Sequence, residues 1–409
     1  MKTAIKEIKI GLDFGSGIQP VGRLAIRNGI IYFEYDNDFL QTELEISPIK
    51  LPLQRGVIGL PRDPFEGLAG VFNDSLPDGW GRLLFDRMLR SEGILPSEVT
   101  PLDRLAHVGL HGLGALVYEP DESPNFDDEI IDLDVLASQT KEVLEGGSDE
   151  VIAELLALNG SSAGARPKAL IGVDKERKNI SYGAHQLSDG FEPWMVKFPN
   201  SQDGNDSGAI EYVYALMAKE AGIAMPNVHL FSSQKGNGYF AVKRFDREGN
   251  ERLHMHTVSG LIHSNFRFPS LDYEDLLSLT SYLTKDIREV EKMFRLAVFN
   301  VMAHNQDDHA KNFSFLMNEL GEWKLSPAYD LTFSNGPGGE QSTMVLGEGR
   351  NITVKHLSKL GEEAQLSKEF IENVIEQTLS ALGKWQSLSK KYGVSDVNMQ
   401  LISKTISKF

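Results

Sequence analysis

Val290, Met293, Phe294, Ala297, Val298, Val301 and Met302 recur at three- and four-residue steps. Such steps keep side chains on one face of a 3.6-residue turn, so the stretch predicts a helix with a continuous apolar stripe. A stripe this long must be covered, which commits the region around it to a substantial helical core. At about 150 residues per domain, 409 residues supply two or three folding units, and a core of that size needs no covalent staple.

The chain contains no cysteine. Disulfides, cysteine nucleophiles and thiolate-held zinc or iron–sulfur centres are therefore excluded. The lack of cysteine fits a reducing cytoplasm. Apolar residues at 41% and charged residues at 24% are the proportions of a soluble globular protein. No apolar run approaches the 18 residues of a membrane span. Charges interrupt the first residues, Met1 to Glu7, which argues against a secretory signal. The expected setting is the cytoplasm, with no membrane partner. A net charge of −17 repels phosphate backbones, so any role at DNA needs a basic patch or a basic partner.

Up to about residue 120 the pattern is one of short strands, turns and two helical stretches. Leu24 to Ile26 and Ile30 to Phe33, joined at Asn28-Gly29, predict a hairpin. Pro77-Asp78-Gly79-Trp80-Gly81 leads into a helix over 82–89. Residues 121–134 hold seven carboxylates and no Lys or Arg, the composition of a solvated linker. Beyond it come a helix near 150–158 stopped at Asn159-Gly160, a strand 194–198 stopped by Pro199, a helix 210–221, and a hairpin of 228–231 with 239–245. From about 252 the chain is mainly helical.

Directly after the apolar stripe stands His304-Asn305-Gln306-Asp307-Asp308-His309-Ala310-Lys311-Asn312, before apolar residues resume at Phe313. A buried helix ending in so dense a polar cluster delivers it into a cleft. The plain alternative is a solvated loop at a helix terminus. Asp307 and Asn312 are spaced as in the protein-kinase catalytic loop, where the Asp takes the attacking hydroxyl's proton and the Asn oxygen holds Mg²⁺. A hairpin through Gly321 then returns Ala328-Tyr329-Asp330, as kinases return a second, metal-binding Asp.

Two earlier segments complete that order. Ser161-Ser162-Ala163-Gly164-Ala165-Arg166-Pro167-Lys168 has the small residues that let backbone N–H groups approach phosphates, although taken alone it reads better as a plain turn. Lys197 lies within an apolar strand, as does the kinase lysine that grips the α/β-phosphates, and Glu211 in the next helix is its candidate partner. The bland reading is a lysine on an exposed strand face. Gly11-Leu12-Asp13-Phe14-Gly15-Ser16-Gly17 imitates the first phosphate loop of actin-like ATPases, but lacks a later partner loop and reads as a hairpin turn. His304, Asp307, Asp308 and His309 could instead ligate a hydrolytic metal, a reading that leaves Lys311 and Asn312 without a task.

Together these residues resemble the HipA family of bacterial toxin kinases. The likeness is carried by Ser161 to Lys168, Met195-Val196-Lys197-Phe198-Pro199, Val242-Lys243-Arg244-Phe245-Asp246-Arg247, Asp307 to Asn312 and Tyr329-Asp330-Leu331. Pro20-Val21-Gly22-Arg23-Leu24, Asn73 to Gly79 and Gly112 to Leu116 extend it over the N-terminal part. The resemblance implies an α+β, two-lobed kinase-like fold. An N-terminal β-rich module would span 1–125, an ATP lobe 126–250 and a helical lobe 251–409. It implies a serine/threonine-protein kinase with Asp307 as base and Mg²⁺ on Asn312 and Asp330. ATP would be held by Ala163, Gly164, Ala165, Arg166, Pro167, Lys168, Lys197, Lys243, Arg244, Phe245, His309, Lys311, Asn312, Tyr329 and Asp330.

In this family a serine at the loop's start can be autophosphorylated, which shuts the kinase off; here that is Ser161, or Ser162 beside it. A phosphate adds roughly −1.5 to −2 of charge, repelling ATP from the same pocket. The resemblance also implies a small helix-turn-helix antitoxin that carries the chain to DNA. The substrate would be an aminoacyl-tRNA synthetase such as glutamyl-tRNA synthetase, with growth arrest and persistence as the outcome. A co-repressor without catalysis and a kinase of small molecules remain as other classes. The chain departs from the family's best-known members at Arg166-Pro167, and His254-Met255-His256 has no assignment from sequence.

Overall fold

Asn28 and Gly29 both take positive φ, 54° and 75°, and close the expected hairpin. That geometry matches the twist of the flanking strands. The computed structural model describes residues 4–124, 130–147, 151–160, 164–182, 187–200, 204–249, 251–406 and 408. They form two compact units, each gathered from separate stretches of chain. The first holds 1–203, 241–263 and 316–322; the second holds 204–240, 264–315 and 323–409.

The first unit is rich in sheet. Strands β1 (Glu7–Asp13), β2 (Ile18–Arg27), β3 (Ile30–Tyr35), β4 (Val57–Gly59) and β5 (Leu116–Glu119) lie in the order β4-β3-β2-β1-β5, every pairing antiparallel. The Gly11 to Gly17 stretch is the β1–β2 turn and its approach. The register slips after Ile10, and a Cβ at Gly11 would collide with the Ile18 and Val117 side chains. Asp13 accepts from the Gly15 N–H (2.8 Å) and pairs with Arg252 (3.2 Å), which leaves this loop a structural task.

A second sheet, in the order β7-β6-β8-β10-β9, contains β6 (Lys168–Asp174), β7 (Ile180–Tyr182), β8 (Phe191–Lys197), β9 (Val228–Phe231) and β10 (Tyr239–Lys243). The strand expected to run to Phe245 stops at Lys243, because Arg244 turns inward. Its N–H donates to the Pro193 carbonyl (2.9 Å) and its guanidinium grips Asp246 with two bonds, at 3.0 and 2.8 Å. Burial alone would raise the Asp246 carboxyl. Arg244 and Arg247 beside it hold it well below the ordinary carboxylate range instead.

His254 and His256 find their role here. The His254 ring is fully buried, and burial pushes its pKa down to about 3, so the neutral ring donates from Nε2 to the Ile46 carbonyl (2.8 Å). His256 lies between Asp74 (Nδ1 to Oδ2, 2.6 Å) and the Ser47 hydroxyl (3.0 Å). This Ser-His-Asp line has the bonding order of a hydrolytic triad, but Ser47 and His256 are 0% exposed. It is a sealed staple.

The second unit is mainly helical. The predicted stripe lies on the helix Ile287–Met302, with all seven stripe residues buried. Asp286 caps its start by accepting from the Arg288 N–H (2.9 Å). Tyr214, on the helix Ser207–Glu220, donates from its buried hydroxyl to the Ala303 carbonyl at the far end (2.7 Å). Two carboxylates, Glu289 and Asp308, lie buried in this unit with partners of their own.

Candidate functional site

The apolar helix stops at Met302, and His304 takes a left-handed backbone (φ 56°) that turns the chain away. His304 stacks on Phe333, with ring centroids 5.2 Å apart, and shares a bond with Asn335 (3.1 Å). Asn305 is buried and donates to the Asn300 side chain (3.0 Å), while its carbonyl accepts from Gln341 (2.7 Å). The Gln306 carbonyl accepts from the Ser342 N–H (3.1 Å) and hydroxyl (2.8 Å). Successive residues of the loop are thus fixed before Asp307 is reached.

Asp307 and Asp308 then part company. Asp307 is exposed, whereas Asp308 is 0% exposed. The Asp308 carboxylate accepts from the Tyr273 hydroxyl (2.5 Å) and the Thr343 N–H (3.1 Å). Tyr273 in turn accepts from Asn300 (3.0 Å), and the Asp308 carbonyl accepts from the Thr343 hydroxyl (2.5 Å). Burial raises the Asp308 carboxyl to about 7, against the pull of these donors. An inward Asp308 and a His304 committed to Phe333 and Asn335 do not converge with Asp307 and His309 on a metal, which corrects the hydrolytic-metal alternative.

Beyond a short turn, Asn312 donates from its amide nitrogen to the Asp307 carbonyl (2.7 Å). That contact uses the amide nitrogen and leaves the side-chain oxygen as the atom with acceptor capacity. The strand Ser314–Met317 leaves and the strand Trp323–Leu325 returns, with the Ser326 N–H donating to the Ser314 carbonyl (2.9 Å). The Tyr329 hydroxyl donates to the Lys311 carbonyl (2.7 Å) and touches the Ser314 hydroxyl (2.5 Å). Tyr329 precedes Asp330 and Lys311 precedes Asn312, so this tie joins the backbone segments that carry the two expected metal ligands. Asp330 holds a positive φ of 57°, a backbone state sparse for residues other than glycine and concentrated at functional positions. Amide and carboxylate oxygens form a hard donor pair that suits Mg²⁺ completed by waters and phosphate. Lys311 is buried, with its ammonium 4.7 Å from the Phe266 ring centre.

In the first unit, antiparallel pairing sets Lys168 opposite Lys197 on one face of β6 and β8. The loop before them is tied down by a segment 86 positions earlier. Asp78 stands at the N-cap of the helix Gly79–Ser91 without capping it, and its carboxylate accepts from the Gly164 N–H instead. The Trp80 N–H donates to the Gly164 carbonyl (3.0 Å). Gly164 has φ 109°, and a Cβ there would run into the Lys168 ammonium. The Pro167 carbonyl accepts from the Phe198 N–H (2.9 Å), so the proline extends the sheet on its acceptor side. Lys243 pairs with Glu192 (2.8 Å), and the Arg244 side chain is spent on Asp246, which leaves backbone as what this stretch can offer a ligand. Ser161, Ser162 and Ala163 lie outside the described residues.

Sequence reasoning missed the Asp78 latch and the inward turn of Asp308. The first had no signal beyond an acid before a helix; the second had only the doubled acid itself.

The pattern of the HipA-like C-terminal domain fits residues 160–385, more than half of the chain, and that of the HipA N-terminal domain fits 16–119. The chain belongs to the HipA family. Among curated relatives, a Sinorhizobium fredii protein named "Putative kinase Y4dM" is 24% identical over 380 residues, 86% of this chain and 81% of that one. "Putative kinase Y4mE" of the same organism is 24% identical over 393 residues, 88% and 87% of the two chains. A solved HipA structure from Shewanella oneidensis MR-1, in complex with HipB and its operator DNA, superposes with a TM-score of 0.69. It is 17% identical and covers 97% of this chain and 95% of its own. The HipA-type mixed α/β fold expected from sequence is the fold this family member has. Among the described residues, no helix is long and apolar enough to cross a membrane.

Proposed function

We propose that this chain is a Mg-ATP-dependent serine/threonine-protein kinase and the toxin of a toxin–antitoxin pair. The observation that carries the reading is the exposed Asp307, with the Asn312 amide donating to its carbonyl. Asp307 accepts the proton of the acceptor hydroxyl as that oxygen bonds to the γ-phosphorus, while the bond from the γ-phosphorus to the β,γ-bridging oxygen breaks and ADP leaves. Asn312 and Asp330 would hold the metal, which supplies charge neutralisation at the phosphates. Lys168, Lys197 and the Gly164 loop are assigned to the phosphates, and His309, Lys311 and Tyr329 to the nucleotide as well. The stretch 243–245 serves the adenine through its backbone. The three consecutive segments 1–125, 126–250 and 251–409 are the module, the ATP lobe and the catalytic lobe.

The family likeness supports a small helix-turn-helix antitoxin as partner, with DNA reached only through it. It also supports an aminoacyl-tRNA synthetase as substrate, a cytoplasmic setting, and self-inactivation by phosphate on Ser161 or Ser162.

Intact mass after incubation with Mg-ATP tests the chemistry, with Asp307→Asn alongside. The wild type should gain one phosphate, mapped to Ser161 or Ser162, and the variant none. Equal gain in both would remove Asp307 from the mechanism. ATP bound with no transfer to itself or to lysate proteins would favour a non-catalytic co-repressor. Transfer only to metabolites would favour a small-molecule kinase.

A further inference from the structure

Asp307 opens onto a cavity of about 260 Å³, and the function above names only a hydroxyl at its Asp307 end. Its other wall is the segment 264–271, including Phe266, Arg267, Phe268 and Leu271, with His309 at the side. Phe266 is half-buried and held by cations: the Arg267 guanidinium lies 4.9 Å from its ring centre and the Lys311 ammonium 4.7 Å. The His309 ring is 5.2 Å away. Phe266 is therefore a fixed floor. Phe268 is 67% exposed at the rim, and Arg267 beside it is exposed as well.

Size decides what can enter. Sites that swallow a whole small molecule run from about 300 to 1,000 Å³, so 260 Å³ suits a side chain or two of a longer segment lying across the surface. Chemistry narrows it further. Among serines and charged groups, the Phe266, Phe268 and Leu271 side chains favour an aliphatic or aromatic side chain, and a planar guanidinium at the rim favours a carboxylate. The carboxylate of Asp307 in the same cavity places the acceptor hydroxyl there too.

We propose that this cavity is the acceptor-segment site, and that it selects a Ser/Thr flanked by an apolar residue against Phe266 and Phe268 and by an acidic residue on Arg267. The inference rests on the kinase reading and adds its substrate class. It makes Phe268 and Arg267 specificity-determining residues.

The test is a library of Ser-centred peptides with varied flanks, phosphorylated by the full chain with Mg-ATP. The wild type should prefer apolar-plus-acidic flanks about tenfold over Ala-flanked peptides. Phe268→Ala should erase the apolar preference, and Arg267→Glu should turn the acidic preference into a basic one. A reversal of charge preference cannot arise from misfolding. The same peptide ranking in Arg267→Glu as in the wild type overturns the proposal. So does a tenfold loss of ATP affinity in Phe268→Ala, measured by calorimetry, because the cavity would then hold nucleotide. If the wild type, like Asp307→Asn, transfers phosphate to no peptide, no protein and not to itself, the kinase reading falls and this site with it.

Discussion

Asp307 and Asp308 are neighbours in sequence and opposites in environment. Spacing to Asn312 singled out Asp307, but two adjacent acids on a loop carry no sequence signal for which one faces inward. That is decided by Tyr273 and Thr343, each 35 positions away, which bind Asp308, with Asn300 donating to Tyr273 behind it. The consequence is measurable through pH. With its carboxyl raised to about 7, the native state keeps a proton on Asp308 that an unfolded chain, at the ordinary carboxylate value of about 3.9, has already released. Stability from this group is therefore greatest at low pH. It falls as pH rises from about 4 to 7 and is level above that, a change on the order of a few kcal/mol at ~1.4 kcal/mol per unit. Asp308→Asn removes the titrating group, so denaturant unfolding should show a flatter stability profile between pH 5 and 8 than the wild type. Parallel profiles for the two proteins would mean that Asp308 does not hold that proton.

At the scale of elements, local pattern was legible and pairing was not. The 3–4 stripe gave the helix Ile287–Met302, and Asn28-Gly29 gave the first hairpin, because both signals lie within a few residues of what they specify. The register that sets Lys168 against Lys197, and the latch from Asp78 to Gly164, depend on contacts between segments that no local window contains. The phosphate contact proposed for the loop hangs on that geometry. Gly164 sits at φ 109°, which side-chain-bearing residues rarely adopt, and the space for a Cβ is taken by the Lys168 ammonium. Gly164→Ala must therefore displace either the loop or the lysine. Calorimetric titration with Mg-ATP should show affinity reduced about tenfold, equivalent to ~1.4 kcal/mol, while melting shifts by only a few degrees. Wild-type affinity in that variant would take the loop out of the nucleotide site.

Across the whole molecule, the family could be read from motifs spread over most of the chain, whereas the two compact units could not, because each is assembled from stretches that are not consecutive. His254 and His256 show why. Their partners, Ile46, Ser47 and Asp74, lie some 180 to 210 positions away, so the motif had no meaning until the chain was folded. Net charge, by contrast, is a whole-chain property that sequence gives outright. Binding to duplex DNA draws on Lys and Arg displacing counterions from phosphates, and its strength falls steeply with salt. A chain carrying −17 starts with that term against it. The proposed route to DNA through a basic antitoxin therefore makes a sharp demand. The chain alone should leave duplex DNA unshifted in a gel at about 50 to 200 mM salt, and should appear on DNA only when the antitoxin is added. Retardation by the chain alone, weakening as salt rises, would reveal a basic surface strong enough to overcome the net charge and would make DNA a direct ligand.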